Sequence, residues 1–201
     1  MTPPLLFYAM NDKLSSEEKQ TLLKVARESL ELALRGEKLP KLEADTPLLQ
    51  ADGASFVTLT VNGKLRGCIG ALEPYQPLIE DVREHALAAA QKDYRFNPVH
   101  PAELDQIEIE ISRLTKPVPL EYDDAQDLLK KLRPGVDGVV LKDGHRRATF
   151  LPQVWEQLPD PKVFLSELCA KMGAPSNVWQ RKKLEVLIYQ VEEFHEGENA
   201  N

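Results

Sequence analysis

A thiol set between two glycines and two positions after an arginine is the densest grouping of reactive residue types in this chain: Leu65-Arg66-Gly67-Cys68-Ile69-Gly70. If Arg66 and amides exposed at Gly67 and Gly70 surround the sulfur, Cys68 is a stabilised thiolate and a nucleophile. If the sulfur is buried, Cys68 is a small apolar packing residue. Two glycines in one strand mark a bulge or a close approach of another backbone or ligand. A second grouping lies in Ile107-Glu108-Ile109-Glu110-Ile111-Ser112. Strict alternation puts Glu108 and Glu110 on one strand face, about 7 Å apart, a spacing that suits an acid/base pair and equally a solvated face. Arg66, Arg95 and Lys171 supply cations that can converge on a carboxylate or phosphate, with salt bridges to the chain's own acids as the competing use. Phe96, Phe150, Trp155 and Trp179 read as core aromatics or as a stacking surface for a planar ligand.

Other chemistries are disfavoured. His85, His100, His145 and His195 show no HxxxH or paired Cys/His spacing, so no metal site is expected. There is no Walker loop, no GxGxxG and no CxxxCxxC motif, and no cofactor is predicted. The net charge of −7 disfavours nucleic acid and anionic membranes as partners. The apolar run before Asn11 is too short for a signal peptide or membrane span and reads as an N-terminal arm, residues 1–14. Without a leader, Cys68 and Cys169 are expected as free thiols in a reducing cytoplasm.

These groups need elements to hold them. Ser15 and Glu18 have capping-box spacing ahead of Leu23, Ala26, Leu30 and Ala33, and Gly36 offers a stop. Residues 39–53 contain two prolines and read as an extended connection. Phe56 to Val61, the turn pair Asn62-Gly63 and Lys64 to Gly70 form a hairpin in which Arg66 pairs with Leu59 and Cys68 with Val57. That register puts the arginine and the thiol on the apolar face, unless a bulge intervenes. A helix follows from about Pro77, then the Asp93-to-Pro98 loop and the strand 107–112. Beyond Pro119 the sequence predicts a helix over 125–132, a second hairpin turning at Asp143-Gly144, a short helix with Trp155, a helix ending at Lys171 and a strand over 184–191. The acidic tail from Glu192 reads as frayed. Strands and hairpins scattered among helices predict an α+β fold with a mostly antiparallel sheet flanked by helices.

The motif Leu65-Arg66-Gly67-Cys68-Ile69-Gly70 resembles the hallmark of the AMMECR family, named for a human chromosomal region linked to Alport syndrome, midface hypoplasia and elliptocytosis. Asp93-Tyr94-Arg95-Phe96, the strand 107–112, Gly135-Val136-Asp137-Gly138-Val139, Thr149 to Trp155 and Phe164 to Lys171 follow in the family's order. Resemblance covers about residues 16–194. Tyr94, where many members have proline, and Met172-Gly173, where members often have Ala-Gly, depart from the pattern. The resemblance implies one AMMECR-like domain over 1–201: a body of about 15–194 with a larger and a smaller lobe, the motif near a cleft between them, and a tail over 195–201. The prokaryotic name, AmmeMemoRadiSam system protein A, implies a Memo-type protein and a radical S-adenosylmethionine protein as partners. Two functions fit. One is an accessory or partner-binding module working through Arg66, Gly67, Gly70, Arg95, Phe96 and Lys171. The other is an enzyme with Cys68 as nucleophile on a small anionic or modified-peptide substrate, and Glu108 or Glu110 moving protons.

Overall fold

The computed structural model describes residues 13–197. The N-terminal arm and the end of the tail therefore lie largely outside the described residues. The chain divides into two compact units: the first runs to Thr115 and resumes at Glu192, and the second is Lys116–Val191.

In the first unit α1 (Ser16–Leu34) begins with the expected capping box. Ser15 Oγ accepts the Glu18 amide at 3.2 Å, and the Glu18 carboxylate accepts the Ser15 amide at 2.8 Å. Gly36 stops the helix with φ +72°. The strands are β1 (Asp52–Val61), β2 (Lys64–Gly70), the two-residue β3 (Gln76–Pro77) and β4 (Ile107–Leu114), with α3 (Leu78–Gln91) between β3 and β4. A short helix, α2 (Pro47–Gln50), interrupts the connection expected to be extended. Thr46 caps it and Pro47 fills its first turn, where a missing N–H costs nothing. The sheet order is β2-β1-β4-β9, where β9 is Val191–His195, with β3 paired to β1. Val57 and Leu59 of β1 and Ile109 and Ile111 of β4 are fully buried with Leu22, Ala26, Val82 and Ala86 of the helices. Phe56, Thr58, Thr60, Glu108 and Glu110 alternate onto the opposite face.

The second unit holds a sheet of order β5-β8-β6-β7: β5 (Val118–Pro119), β6 (Gly138–Asp143), β7 (Arg146–Phe150) and β8 (Glu185–Tyr189). Its helices are α4 (Ala125–Lys131), α5 (Pro161–Lys171) and α6 (Val178–Arg181). The Trp155 ring stacks on Phe164 at 3.6 Å between centroids, and Trp155 Nε1 donates to the Asp137 carbonyl at 2.7 Å. Buried Asp137 accepts a forked pair from Arg133. The hairpin turn falls at Gly144-His145, one residue later than expected, because Asp143 pairs with Arg146 and Gly144 takes φ +62°. Among the described residues no helix is long and apolar enough to cross a membrane.

The larger correction concerns the C-terminus. Residues from Glu192 are not frayed: Val191–His195 forms β9, beside β4. Phe194 is buried in the core of the first unit. Glu192 accepts Arg113 at 3.1 Å and the Leu14 amide at 3.3 Å. Glu196 pairs with Arg27 and accepts the Ile109 amide at 3.1 Å. Acidic side chains that read as a solvated tail are used to neutralise arginines from distant segments. Phe194→Ala should therefore cost about 3–5 kcal/mol in urea unfolding, whereas an equal midpoint for variant and wild type would mean that the segment contributes no packing.

Candidate functional site

The hairpin turns at Asn62-Gly63, both with positive φ (51° and 71°), as a type I′ turn requires. Its register differs from the expected one. Leu65 faces Thr60, but Gly67, not Arg66, faces Leu59, so Arg66 is the extra residue of a β-bulge. The cause is on the helix side of the sheet. A Cβ at position 67 would lie 2.2 Å from the Ala89 carbonyl oxygen near the end of α3. Only glycine fits there. With Gly67 facing inward, Cys68 pairs with Thr58 instead of Val57 and turns to the polar face. Gly70 is explained in the same way, since a Cβ there would meet the Phe56 ring and the Ser55 carbonyl at 2.4 Å. Both glycines accommodate the protein's own atoms.

Released from the ladder, Arg66 reaches over the sheet edge. Its Nε and Nη2 donate to the two carboxylate oxygens of Glu103 at 2.8 and 3.0 Å. Nη1 donates to the Asn97 carbonyl at 2.9 Å. The Glu103 carboxylate is held below its ordinary pKa by Arg66 and by the His100 amide, and Arg66 is correspondingly raised by Glu103. Glu103 belongs to a 3₁₀ turn, Pro101–Gln106, so this fork pins the segment between α3 and β4 to the bulge.

The same segment closes the edge of β2 from the other side. Buried Asp93 accepts the Cys68 amide at 2.9 Å. Arg95 donates to both Asp93 oxygens at 2.9 and 2.7 Å and to the Cys68 carbonyl at 3.3 Å. Asp93 is held well below the usual carboxylate range, first by the Arg95 guanidinium and then by the amides of Cys68 and Arg95. Asp93 and Arg95 thus occupy both edge-facing backbone groups of Cys68, in place of a neighbouring strand. Arg95 is still 44% exposed, with its guanidinium 5.6 Å from the Phe96 ring.

On the polar face Cys68, Thr58 and Glu110 form one row across β2, β1 and β4, and Glu108 lies in the next row with Thr60. The half-buried Cys68 sulfur accepts the Thr58 hydroxyl at 3.2 Å. Glu108 is exposed and Glu110 half-buried. Lys171, in the second unit, donates to the Thr149 carbonyl at 2.9 Å and lies 5.0 Å from the Phe150 ring centre. The structure thus gathers Arg66, Gly67, Cys68, Gly70, Arg95 and Phe96 around β2, and joins Glu110 to them through Thr58. Arg66 and Arg95 are already matched by Glu103 and Asp93, so an anionic ligand would have to compete with built-in carboxylates. Among the described residues no group of three or more His, Cys, Asp or Glu side chains is placed to hold a metal ion.

Asp93 and Glu103 are the residues that sequence reasoning missed. Both lay in view, Asp93 at the head of the Asp93-Tyr94-Arg95-Phe96 motif and Glu103 three residues after His100. Their partners are 25 and 37 residues away, and no local pattern names them.

The family model for AMMECR1 matches residues 23–194. A protein of Methanothermobacter thermautotrophicus is 42% identical over 91% of this chain and 96% of its own length. A protein of Thermofilum pendens is 37% identical over 92% of each chain. The crystal structure of the uncharacterized protein PH0010 from Pyrococcus horikoshii superposes with a TM-score of 0.67 at 32% identity, covering 88% of this chain and 90% of that one.

Two outcomes follow from the geometry. Cys68 should be alkylated by iodoacetamide in the folded protein while Cys169, wholly buried and with its thiol pKa pushed up by that burial, stays protected. Peptide mass spectrometry reads both, and equal protection would mean that the Cys68 face is closed. Because folding lowers the Asp93 pKa, its carboxylate stabilises the fold above the unfolded value of about 3.9 and loses that contribution as the pH falls further. The Tm difference between wild type and Asp93→Asn should therefore shrink from about pH 6 to about pH 3. A gap independent of pH would remove the charge from the account.

Proposed function

The chain belongs to the AMMECR1 family, and from that premise we propose that it is a partner-binding module, which docks a second protein of a modification pathway on the rim of β2. One observation carries this reading. Among the described residues the exposed large apolar side chains of the first unit are Leu65, Leu72, Tyr75 and Tyr94. One is on β2, two follow it in the segment leading to α3, and one is in the loop that closes its edge. On and around β2, these side chains offer a partner apolar contact. Tyr94, at 95% exposure, stands beside Asp93 and Arg95 and supplies no packing to its own chain. Tyrosine and arginine are the side chains on which interface energy concentrates. The Cys68 backbone is already bonded to Asp93 and Arg95, so the partner engages side chains and does not add a strand at that position.

The partner we put forward is the Memo-type protein implied by the family's prokaryotic name, with the radical S-adenosylmethionine protein as the other member of the pathway. A cytoplasmic setting fits such a pathway.

A second reading has its own support in the half-buried Cys68 sulfur, bonded to the Thr58 hydroxyl in the same row as Glu110. Here Cys68 is the nucleophile, Glu110 or Glu108 carries protons, and Arg95 faces a small anionic or modified-peptide substrate. Retention of full pathway output by Cys68→Ser and Cys68→Ala would eliminate it.

Calorimetry with the purified Memo-type and radical S-adenosylmethionine proteins of the same organism tests the docking reading. Tyr94→Ala should weaken binding by about 1–3 kcal/mol, and Cys68→Ser should leave it unchanged. If neither protein binds the wild type, or if Tyr94→Ala and Leu65→Ser bind as wild type does, the rim is not the docking surface.

A further inference from the structure

Away from the Cys68 face, the helix side of the sheet contains a buried carboxylate that the docking surface does not use. Asp81, in the first turn of α3, is fully buried. Its Oδ2 accepts the Ser55 hydroxyl at 2.6 Å and lies 3.1 Å from His85 Nδ1. Its Oδ1 is equally buried and has no hydrogen-bond partner. A carboxylate in such a place gives up its hydration and needs partners to replace it. Leu78, Ile79 and Val82, its neighbours on α3, join the helix to the core with apolar atoms alone.

His85 is one helical turn further on and is itself 95% buried. A carboxylate at Nδ1 selects the tautomer with the proton on that nitrogen and leaves the Nε2 lone pair as an acceptor. Nε2 does not face the core. It faces the hydroxyl of Tyr75 at 3.4 Å, and Tyr75 is 54% exposed in the segment between β2 and α3. The Tyr75 hydroxyl has another acceptor within reach, Glu84 at 3.2 Å, which Gln76 holds in place at 2.7 Å. The phenol can therefore leave Nε2 without losing its own hydrogen bond. Burial and the charges of Asp81 and Glu84 raise the Tyr75 pKa, which keeps the hydroxyl a donor. A buried carboxylate orienting an imidazole whose second nitrogen is covered by a half-exposed phenol is the arrangement of a covered general base.

We propose that Asp81 and His85 form a proton-accepting dyad covered by Tyr75, and that its ligand is a small molecule or side chain with an acidic, phenol-like hydroxyl that takes the place of the Tyr75 phenol at His85 Nε2. In the transfer the ligand O–H bond breaks and an N–H bond forms at Nε2. The electron pair stays on the ligand oxygen, and the imidazolium formed is neutralised by Asp81. Ser55 holds the carboxylate in position for this. The dyad does not depend on the docking reading, since no partner protein is needed to open it.

Side-chain nitrogen NMR of the full chain, with phenol as the probe, tests the assignment. In the wild type, a neutral His85 ring should carry its proton on Nδ1. An Nε2-protonated neutral ring would overturn the proposal without any variant. In Tyr75→Ala, which removes the phenol over His85 Nε2, phenol should shift the His85 Nε2 resonance saturably, and the wild type should show no such shift. Carbethoxylation of His85 by diethyl pyrocarbonate should be several-fold faster in Tyr75→Ala than in the wild type, with exposed His100 and His145 as references in the same digest. An unsaturable phenol shift, or a His85 rate unchanged in Tyr75→Ala, would mean that the Asp81–His85 pair is only a buried tie.

Discussion

The close approach of α3 to β2 sets the rest of the first unit. The Ala89 carbonyl occupies the space a side chain would need at position 67, so the strand must present a glycine to the helix there. Meeting that demand forces the bulge, and the bulge settles three things together. Arg66 leaves the ladder and is free to reach Glu103. Cys68 moves from the apolar to the polar face, beside Thr58. The chain leaving α3 two residues after Ala89 is then near enough for Asp93 to accept the Cys68 amide. A backbone contact between a helix and a strand thus fixes where the cysteine points.

Among the described residues β2 is an edge strand, and its unpaired backbone would otherwise be a template for another chain. Asp93 and Arg95 act as a substitute strand at one residue, Cys68, while Arg66 and Glu103 fasten the loop that carries them. The motif looks catalytic in sequence because edge protection and catalysis call for the same residue types: arginines, a carboxylate and glycines near a thiol. Geometry separates the two uses. Each guanidinium meets a carboxylate at hydrogen-bond distance from both of its oxygens, a satisfied pairing with little electrostatic attraction left for a small anion. An apolar and aromatic partner surface gains more from Leu65, Leu72 and Tyr94, which carry no such commitments.

The legible parts of the sequence were those fixed by neighbours a few residues apart. Ser15 and Glu18 announced the start of α1, Asn62-Gly63 the first hairpin, and the Ile-Glu alternation the buried and open faces of β4. The two glycines marked a bulge or a close backbone approach in β2, but that Arg66 is the residue set free was not legible, because it depends on a carbonyl 22 positions away from Gly67. Nor was β9. Its Glu192 and Glu196 read as solvated charge until Arg113 and Arg27, 79 and 169 residues earlier, are brought beside them. Phe194 alone hinted otherwise. Asp81 and His85 show the reverse: their spacing of four on a helix is plainly visible, but it matches neither a metal-ligand nor a paired-histidine pattern.

The two arginine–carboxylate forks and the Asp81–His85 pair differ in what they leave open. At Arg66 and Arg95 the donors of one side chain are matched to the acceptors of another, and the surplus is small. At Asp81 one oxygen is unmatched, and at His85 one nitrogen is matched only by an exposed phenol that has somewhere else to go. Buried polar networks in which every member is satisfied stabilise a single arrangement, whereas a partly satisfied one stores a demand that another group can meet. In the first unit that demand lies under Tyr75, on the helix side of the sheet. The motif that dominates the sequence has used most of its own bonding capacity to hold its strand in place.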